Sequence, residues 1–348
     1  IQTDSGGIIP NQVGVAIASG KVESGTGHIS IIGRGGTDEN TILGIPGIQI
    51  SQDSRVEAIG QGTITLNGTG GSGGIYLESE YLPGNQGIWI DGATVSSEDG
   101  TIHLVGTGGS GENGLQSGIS IEQGGIVQSM GTGTLILEGT GGTGGEGTVR
   151  GNQGVILFQN GLVRSRDGDI LFMGEGGTGP DQYNHGVEVF VRSSVEATGT
   201  GNIRIEGIAG AGITENHGIR IQEWSGSNPS RIRARDGAIT LTGVGKGTGD
   251  SNYGIDLRGG GVEKTGEGNL TLEGIGANGA AGINVQDGFI QARGTGESTT
   301  TLIADQIQVS DDPNFPLTPQ IQGAGTVQFY PLDPTVDITI GDTTNSNT

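Results

Sequence analysis

A Gly-Ile-x-Ile motif recurs about nine times along this 348-residue chain, with openings at Gly14, Gly47, Gly87, Gly118, Gly154, Gly186, Gly218, Gly254 and Gly282. Each copy leads through a Val or Ile step to Gly-x-Ile-x-Leu-x-Gly. The first and last openings are 268 residues apart over eight intervals, a mean period of about 33.5. A fixed period of roughly 20–50 residues marks a solenoid, a propeller or an array, and it constrains the fold more than any other feature here. Stacked units also present a long surface more readily than a pocket.

Aligned copies show what repeats. One runs Gly87-Ile88-Trp89-Ile90, then Val95, then Ile102 and Leu104, then the spacer Thr107-Gly108-Gly109-Ser110-Gly111. The next runs Gly118-Ile119-Ser120-Ile121, then Ile126, then Leu135 and Leu137. Apolar residues alternate with polar ones at period two, the strand signal, and no stretch carries a 3.6-residue stripe. Glycine corners fit a chain that turns every few residues, because Gly accepts positive φ at no steric cost. Each unit supplies three short strands that cannot bury their own Ile and Leu, whereas stacked units can. The expected fold is therefore all-β, a right-handed parallel β-helix (β-solenoid) of about nine coils with three short strands each. A propeller blade would need four antiparallel strands. At a strand spacing of about 4.8 Å, nine coils make a rod of roughly 43 Å. Ile88, Ile90, Ile102, Leu104, Ile119, Ile121, Leu135, Leu137, Ile203 and Ile205 should face inward, with Ser120 and Trp89 facing solvent.

The pattern weakens after Arg293, and five of the ten prolines follow it, at Pro313, Pro316, Pro319, Pro331 and Pro334. Proline interrupts ladder hydrogen bonds. We therefore expect residues 1–294 to form the repetitive β-helix and 295–348 a C-terminal β-strand module or junction with a polar tail.

Composition excludes several classes. Gly is 75 of 348 residues but follows no Gly-X-Y period, which excludes collagen. Regular Ile, Val and Leu placement argues against disorder. Without cysteine there is neither a disulfide framework nor thiol chemistry. The net charge is −22 and the only lysines are Lys21, Lys246 and Lys264. Phosphate contact needs basic clusters, so nucleic acid is not an expected partner. No apolar run reaches the length of a membrane span. The first residue is not Met and no signal segment is visible, so the chain is expected to be processed or a fragment.

The coils resemble the large glycine-rich repeat proteins of the filamentous-haemagglutinin type, secreted by bacteria and abundant in cyanobacteria. The run Gly323-Ala324-Gly325-Thr326-Val327-Gln328-Phe329-Tyr330-Pro331-Leu332, with Ile338-Thr339-Ile340-Gly341, is similar to the stretch that ends repeat blocks in that family. The resemblance implies a β-helical protein outside the cell or on its surface, acting in adhesion or in an extracellular layer. The Asn-Pro-Asn-type motifs of the family's secretion domain are missing, which implies an internal or C-terminal piece.

Candidate sites follow from the aligned copies. Asn85, Asn152, Asn184, Asn216 and Asn252 each stand two residues before an opening Gly, and in register they stack into an amide ladder along the rod. His185 and His217 share one coil position, and with Asp181 or Glu215 they could hold a metal ion. Gly176-Gly177-Thr178-Gly179-Pro180-Asp181 matches part of a calcium-binding nonapeptide, but no tandem copy exists. Weak calcium binding by scattered surface carboxylates is the most this supports, and no cofactor is expected. Trp89, Trp224 and Tyr253 could stack on a glycan.

Acidic residues such as Glu138, Glu188, Glu206, Asp256 and Glu273 fall at outward strand positions without converging on a base, and Arg164 and Arg166 come closest to a basic spot, with Arg150. They read as a solvated face rather than a catalytic one. The expected function is non-enzymatic, an extracellular structural or adhesive β-solenoid that self-associates into a filament or belongs to a surface layer. The alternatives are a carbohydrate-binding adhesin, with extracellular polysaccharide as partner, and a polysaccharide lyase or hydrolase.

Overall fold

The computed structural model describes residues 12–39, 44–73, 84–111, 115–144, 151–179, 182–224, 228–294, 298–311 and 318–340. Among these residues there is no helix. The strands stack into three long parallel ladders. The first has eleven strands, from Val15–Ala18 to Thr339–Ile340. The second has ten, from Lys21–Ser24 to Gln320–Gln322, and the third ten, from Ile29–Arg34 to Thr326–Tyr330. The protein is a parallel β-solenoid of about eight turns, close to the nine coils expected. All nine opening glycines stand immediately before a strand of the first ladder.

Register explains the core. In the first ladder Ile88 pairs Ile119 and Ile90 pairs Ile121, and in the third Ile102 pairs Leu135 and Leu104 pairs Leu137. Like side chains thus stack one strand spacing apart, and a one-residue slip would turn them all outward. All ten residues expected inside are buried and join one continuous apolar cluster. The second ladder contributes a Val and Ile column plus a column of small residues, including Ala58, Ser97, Ser129, Ser165, Ala197 and Ala234. Lys264 breaks that column; it is buried, and its ammonium donates to the carbonyls of Arg235 and Glu267.

Glycine enables the corner between the third and first ladders. A Cβ on Gly139 would lie 2.1 Å from the carbonyl oxygen of Gly154, and one on Gly106 equally close to that of Gly118. Backbone crosses backbone there, so only hydrogen fits. The corner after the first ladder differs from expectation. Non-glycine residues with positive φ occupy it, as at Gln52 and Asp53 or Val191 and Arg192. Serine side chains hold this turn: Ser193 Oγ donates to the carbonyl of Phe190 at 2.7 Å.

One further feature was not expected. Part of the spacers forms a fourth ladder of four two-residue strands, Thr37–Asp38, Ser72–Gly73, Ser110–Gly111 and Thr143–Gly144. Beyond residue 294 the same three ladders continue: Thr299–Ile303 and Thr326–Tyr330 extend the third, and Gln306–Ser310 the first. The proline-rich stretch between them lies partly outside the described residues, as do residues 295–297 at the expected boundary.

Candidate functional site

The outer face of the first ladder is where this rod departs from a plain solenoid. Its outward column runs Trp89, Ser120, Ile156, Glu188, Arg220, Asp256 and Asn284 in register. All seven are buried. Ser120, expected in solvent, is fully covered and donates its hydroxyl to Glu122. Trp89 does point away from the apolar core, yet it is only 7% exposed and offers no face to a glycan. Glu188 and Asp256 are likewise buried rather than part of a solvated face. Strand alternation tells which side a residue takes, and it says nothing of whether that side meets water.

In the sixth to eighth coils this face carries a charge cluster. Glu188, Arg220 and Asp256 are successive partners across three strands. Arg220 Nη1 lies 3.6 Å from Glu215 Oε2, and its Nε lies 3.7 Å from Asp256 Oδ2. Arg258 makes the same two approaches, at 4.0 Å to Glu215 Oε1 and 3.9 Å to Asp256 Oδ2. Each guanidinium thus sits between two carboxylates, and Asp256 first of all holds the Arg258 guanidinium above its ordinary pKa. These approaches are longer than hydrogen bonds. The Nε atoms of Arg220 and Arg258 have no hydrogen-bond partner. Glu188 Oε2 accepts from Gln153 Nε2 at 2.9 Å.

The two histidines lie beside this cluster. Their rings stack at 4.9 Å and 7°, and Tyr253 continues the stack on His217 at 5.3 Å. The backbone N–H of His217 donates to His185 Nδ1, and that of Tyr253 to His217 Nδ1. Both Nδ1 lone pairs are therefore engaged, which assigns the proton of each neutral ring to Nε2. On that assignment the 3.3 Å approach of Arg220 Nη1 to His185 Nε2 is a contact between two donors. His217 Nε2 faces Asp256 Oδ2 at 3.5 Å. Burial above all, with the neighbouring arginines adding, pushes both imidazoles well below their ordinary pKa, so both are neutral. Parallel rings with engaged Nδ1 atoms do not converge on one metal ion. Asp181 lies outside the described residues, and no group of three metal-ligating side chains occurs among the described ones.

Over the cluster opens a cleft of about 220 Å³. Tyr183, Phe190 and Trp224 line it with Glu188, Glu215, Arg220 and Arg258. Trp224 is 62% exposed and packs edge-on against Phe190, with ring centroids 4.6 Å apart at 89°. Arg220 lies over the Tyr183 ring, 5.4 Å from its centroid. Tyr183 and Glu215 both have positive φ, 65° and 50°, at equivalent places just before the ladder asparagines. Left-handed backbone at such residues costs about 1–3 kcal/mol and persists only where the fold over-determines it. Of the three aromatics expected to meet a glycan, the structure brings Trp224 to the cleft; Tyr253 stacks on His217 and does not line it. Tyr183, Phe190, Arg220 and Arg258 escaped the sequence reading. An alternating acidic–basic–acidic column at Glu188, Arg220 and Asp256 of the aligned copies was the available signal.

The asparagine ladder forms and is buried. Asn152 Nδ2 donates to Asn184 Oδ1 at 3.1 Å, Asn184 Nδ2 to Asn216 Oδ1 at 3.1 Å, and Asn216 Nδ2 to Asn252 Oδ1 at 3.4 Å. Gln116, which the sequence reading missed, fills the equivalent place between Asn85 and Asn152: its Oε1 accepts from the N–H of Asn85 at 3.2 Å. The amides also bind spacer carbonyls, as Asn85 does at Gly73 and Ser110. Glu138, Glu206 and Glu273 stay half-buried and apart from the cleft. Arg164 and Arg166 are exposed and engage Gln128 and Asp167, and Arg150 is outside the described residues. No protein-family model, curated protein or solved structure matches this chain.

Proposed function

We propose that this chain is an extracellular structural and adhesive β-solenoid, a stiff rod that works as part of a filament or surface layer, in the manner of the filamentous-haemagglutinin-like proteins its coils resemble. The observation that carries the reading is the continuity of three parallel ladders around one dry aliphatic core. Such a body resists bending because every coil is hydrogen-bonded to both neighbours. Its acidic surface keeps rods apart laterally and fits an aqueous environment. Association would then run along the axis, where sheet edges template further strands. Negative-stain electron microscopy across a concentration series tests this. Rods that lengthen in steps, and that shorten again on dilution, are expected. Compact monomers at every concentration, or release of products from a polysaccharide, would overturn it.

A further inference from the structure

The rod reading stands without any ligand, yet the cleft over the first ladder is built more elaborately than a rod requires. We infer that it binds one ring of a neutral carbohydrate. Several observations converge. Trp224 meets Phe190 in a T-shaped contact and stays 62% exposed, so indole surface remains open beside polar groups. A sugar ring offers the matching surface, an apolar C–H face edged by hydroxyls. Arg220 is 4% exposed and lines the cleft with Arg258, and both guanidinium groups approach their carboxylates at distances longer than hydrogen bonds. Charged planar groups make strong and directional hydrogen bonds, the kind that fixes a hydroxyl.

The charge balance selects among ligands. Two guanidinium groups face the carboxylates of Glu188, Glu215 and the underlying Asp256, a formal excess of one negative charge. A phosphate, sulfate or uronate would meet no spare positive charge. A hydroxyl both donates and accepts, and so can bridge a carboxylate and a guanidinium already about 3.6–4.0 Å apart. Size agrees: about 220 Å³ lies below the range of about 300–1,000 Å³ for drug-sized ligands, as a single ring requires. The strained turns at Tyr183 and Glu215 hold a ring and a carboxylate at the lip.

The test is an array of neutral, uronate-bearing and sulfated oligosaccharides, followed by fluorescence titration with the best-retained neutral oligosaccharide. The chain has two tryptophans, so Trp89→Phe leaves Trp224 as the reporter. Retention of neutral oligosaccharides is expected, with a fluorescence change that survives Trp89→Phe. Trp224→Ala should weaken binding at least tenfold, and Arg220→Lys, which keeps the charge but loses the planar fork, similarly. Should Arg220→Lys disturb the coil, Trp224→Ala decides alone, since that side chain is mostly exposed and its loss can be checked against an unchanged circular dichroism spectrum. Binding confined to charged glycans, binding indifferent to Trp224→Ala, or no retention at all would overturn the inference. The electron microscopy of the rod reads out separately and is unaffected by any of these outcomes.

Discussion

His185 and His217 give this molecule a local sensitivity to acid. Both are fully buried and neutral, with burial the main cause of their depressed pKa. An unfolded chain protonates its histidines near pH 6.5, and the folded one does not until far lower pH. Protons therefore favour the unfolded state as pH falls below about 6.5, while above it the contribution of these groups is fully present. Asp91 acts in the opposite sense. Burial first, then the nearby Glu122, raises its carboxyl to about 6. The fold keeps a proton that the unfolded chain releases, so stability falls as pH rises from about 4 to about 6. Two results are expected from urea unfolding. Asp91→Asn should raise the midpoint at pH 7, by an equivalent of about 1 kcal/mol once solvent screening is allowed for. In that background the midpoint should fall between pH 7 and pH 5, and the double change His185→Gln, His217→Gln should flatten the slope. A slope unchanged by removing both imidazoles would refute their assignment as the acid-sensitive groups.

At the scale of single elements, two columns hold the coils in register. Asn184 accepts from the N–H and Nδ2 of Asn152 and donates to Asn216 and to the carbonyl of Ala211. Asn184→Ala strands these buried partners at a cost of about 1–3 kcal/mol. Hydrogen exchange should speed at residues 151–154 and 208–211 before it does elsewhere. Gly139→Ala places a methyl against backbone that cannot retreat, and about 3 kcal/mol or more is expected, read from chemical denaturation. The column of opening glycines, the strand order and the aliphatic core were legible in the sequence, because period-two alternation and repeated Gly leave few ways to stack. The asparagine ladder was legible for the same reason. What covers the outer face was not, and Ser120, Trp89, Glu188 and Asp256 were all placed on the right side of their strands and wrongly given to solvent. The cleft draws on four coils at once, so its aromatic and charged members are scattered through the sequence and meet only in register.

For the whole molecule, quasi-one-dimensional stacking makes a definite claim about how damage spreads. Ile121 is fully buried and pairs Ile90 below it and Leu157 above it. Ile121→Asp would bury an unpaired carboxylate in that dry column, at a cost of several kcal/mol. A globular domain hit this hard unfolds as a unit, whereas a solenoid's stability is roughly a sum over coils and their interfaces. Amide protection should therefore vanish at Ile88–Asp91, Ile119–Glu122 and Val155–Phe158 and persist at Ile239–Val244 and Ile255–Arg258, several coils away. Ser120→Asp provides the comparison. Its side chain lies on the other, covered face beside Glu122, so a second carboxylate there should also destabilise, through like-charge crowding rather than through loss of core. Ser120→Ala, which loses one hydrogen bond, should cost only about 1 kcal/mol. Uniform loss of protection along the rod in Ile121→Asp would show that the ladders unfold as one cooperative body.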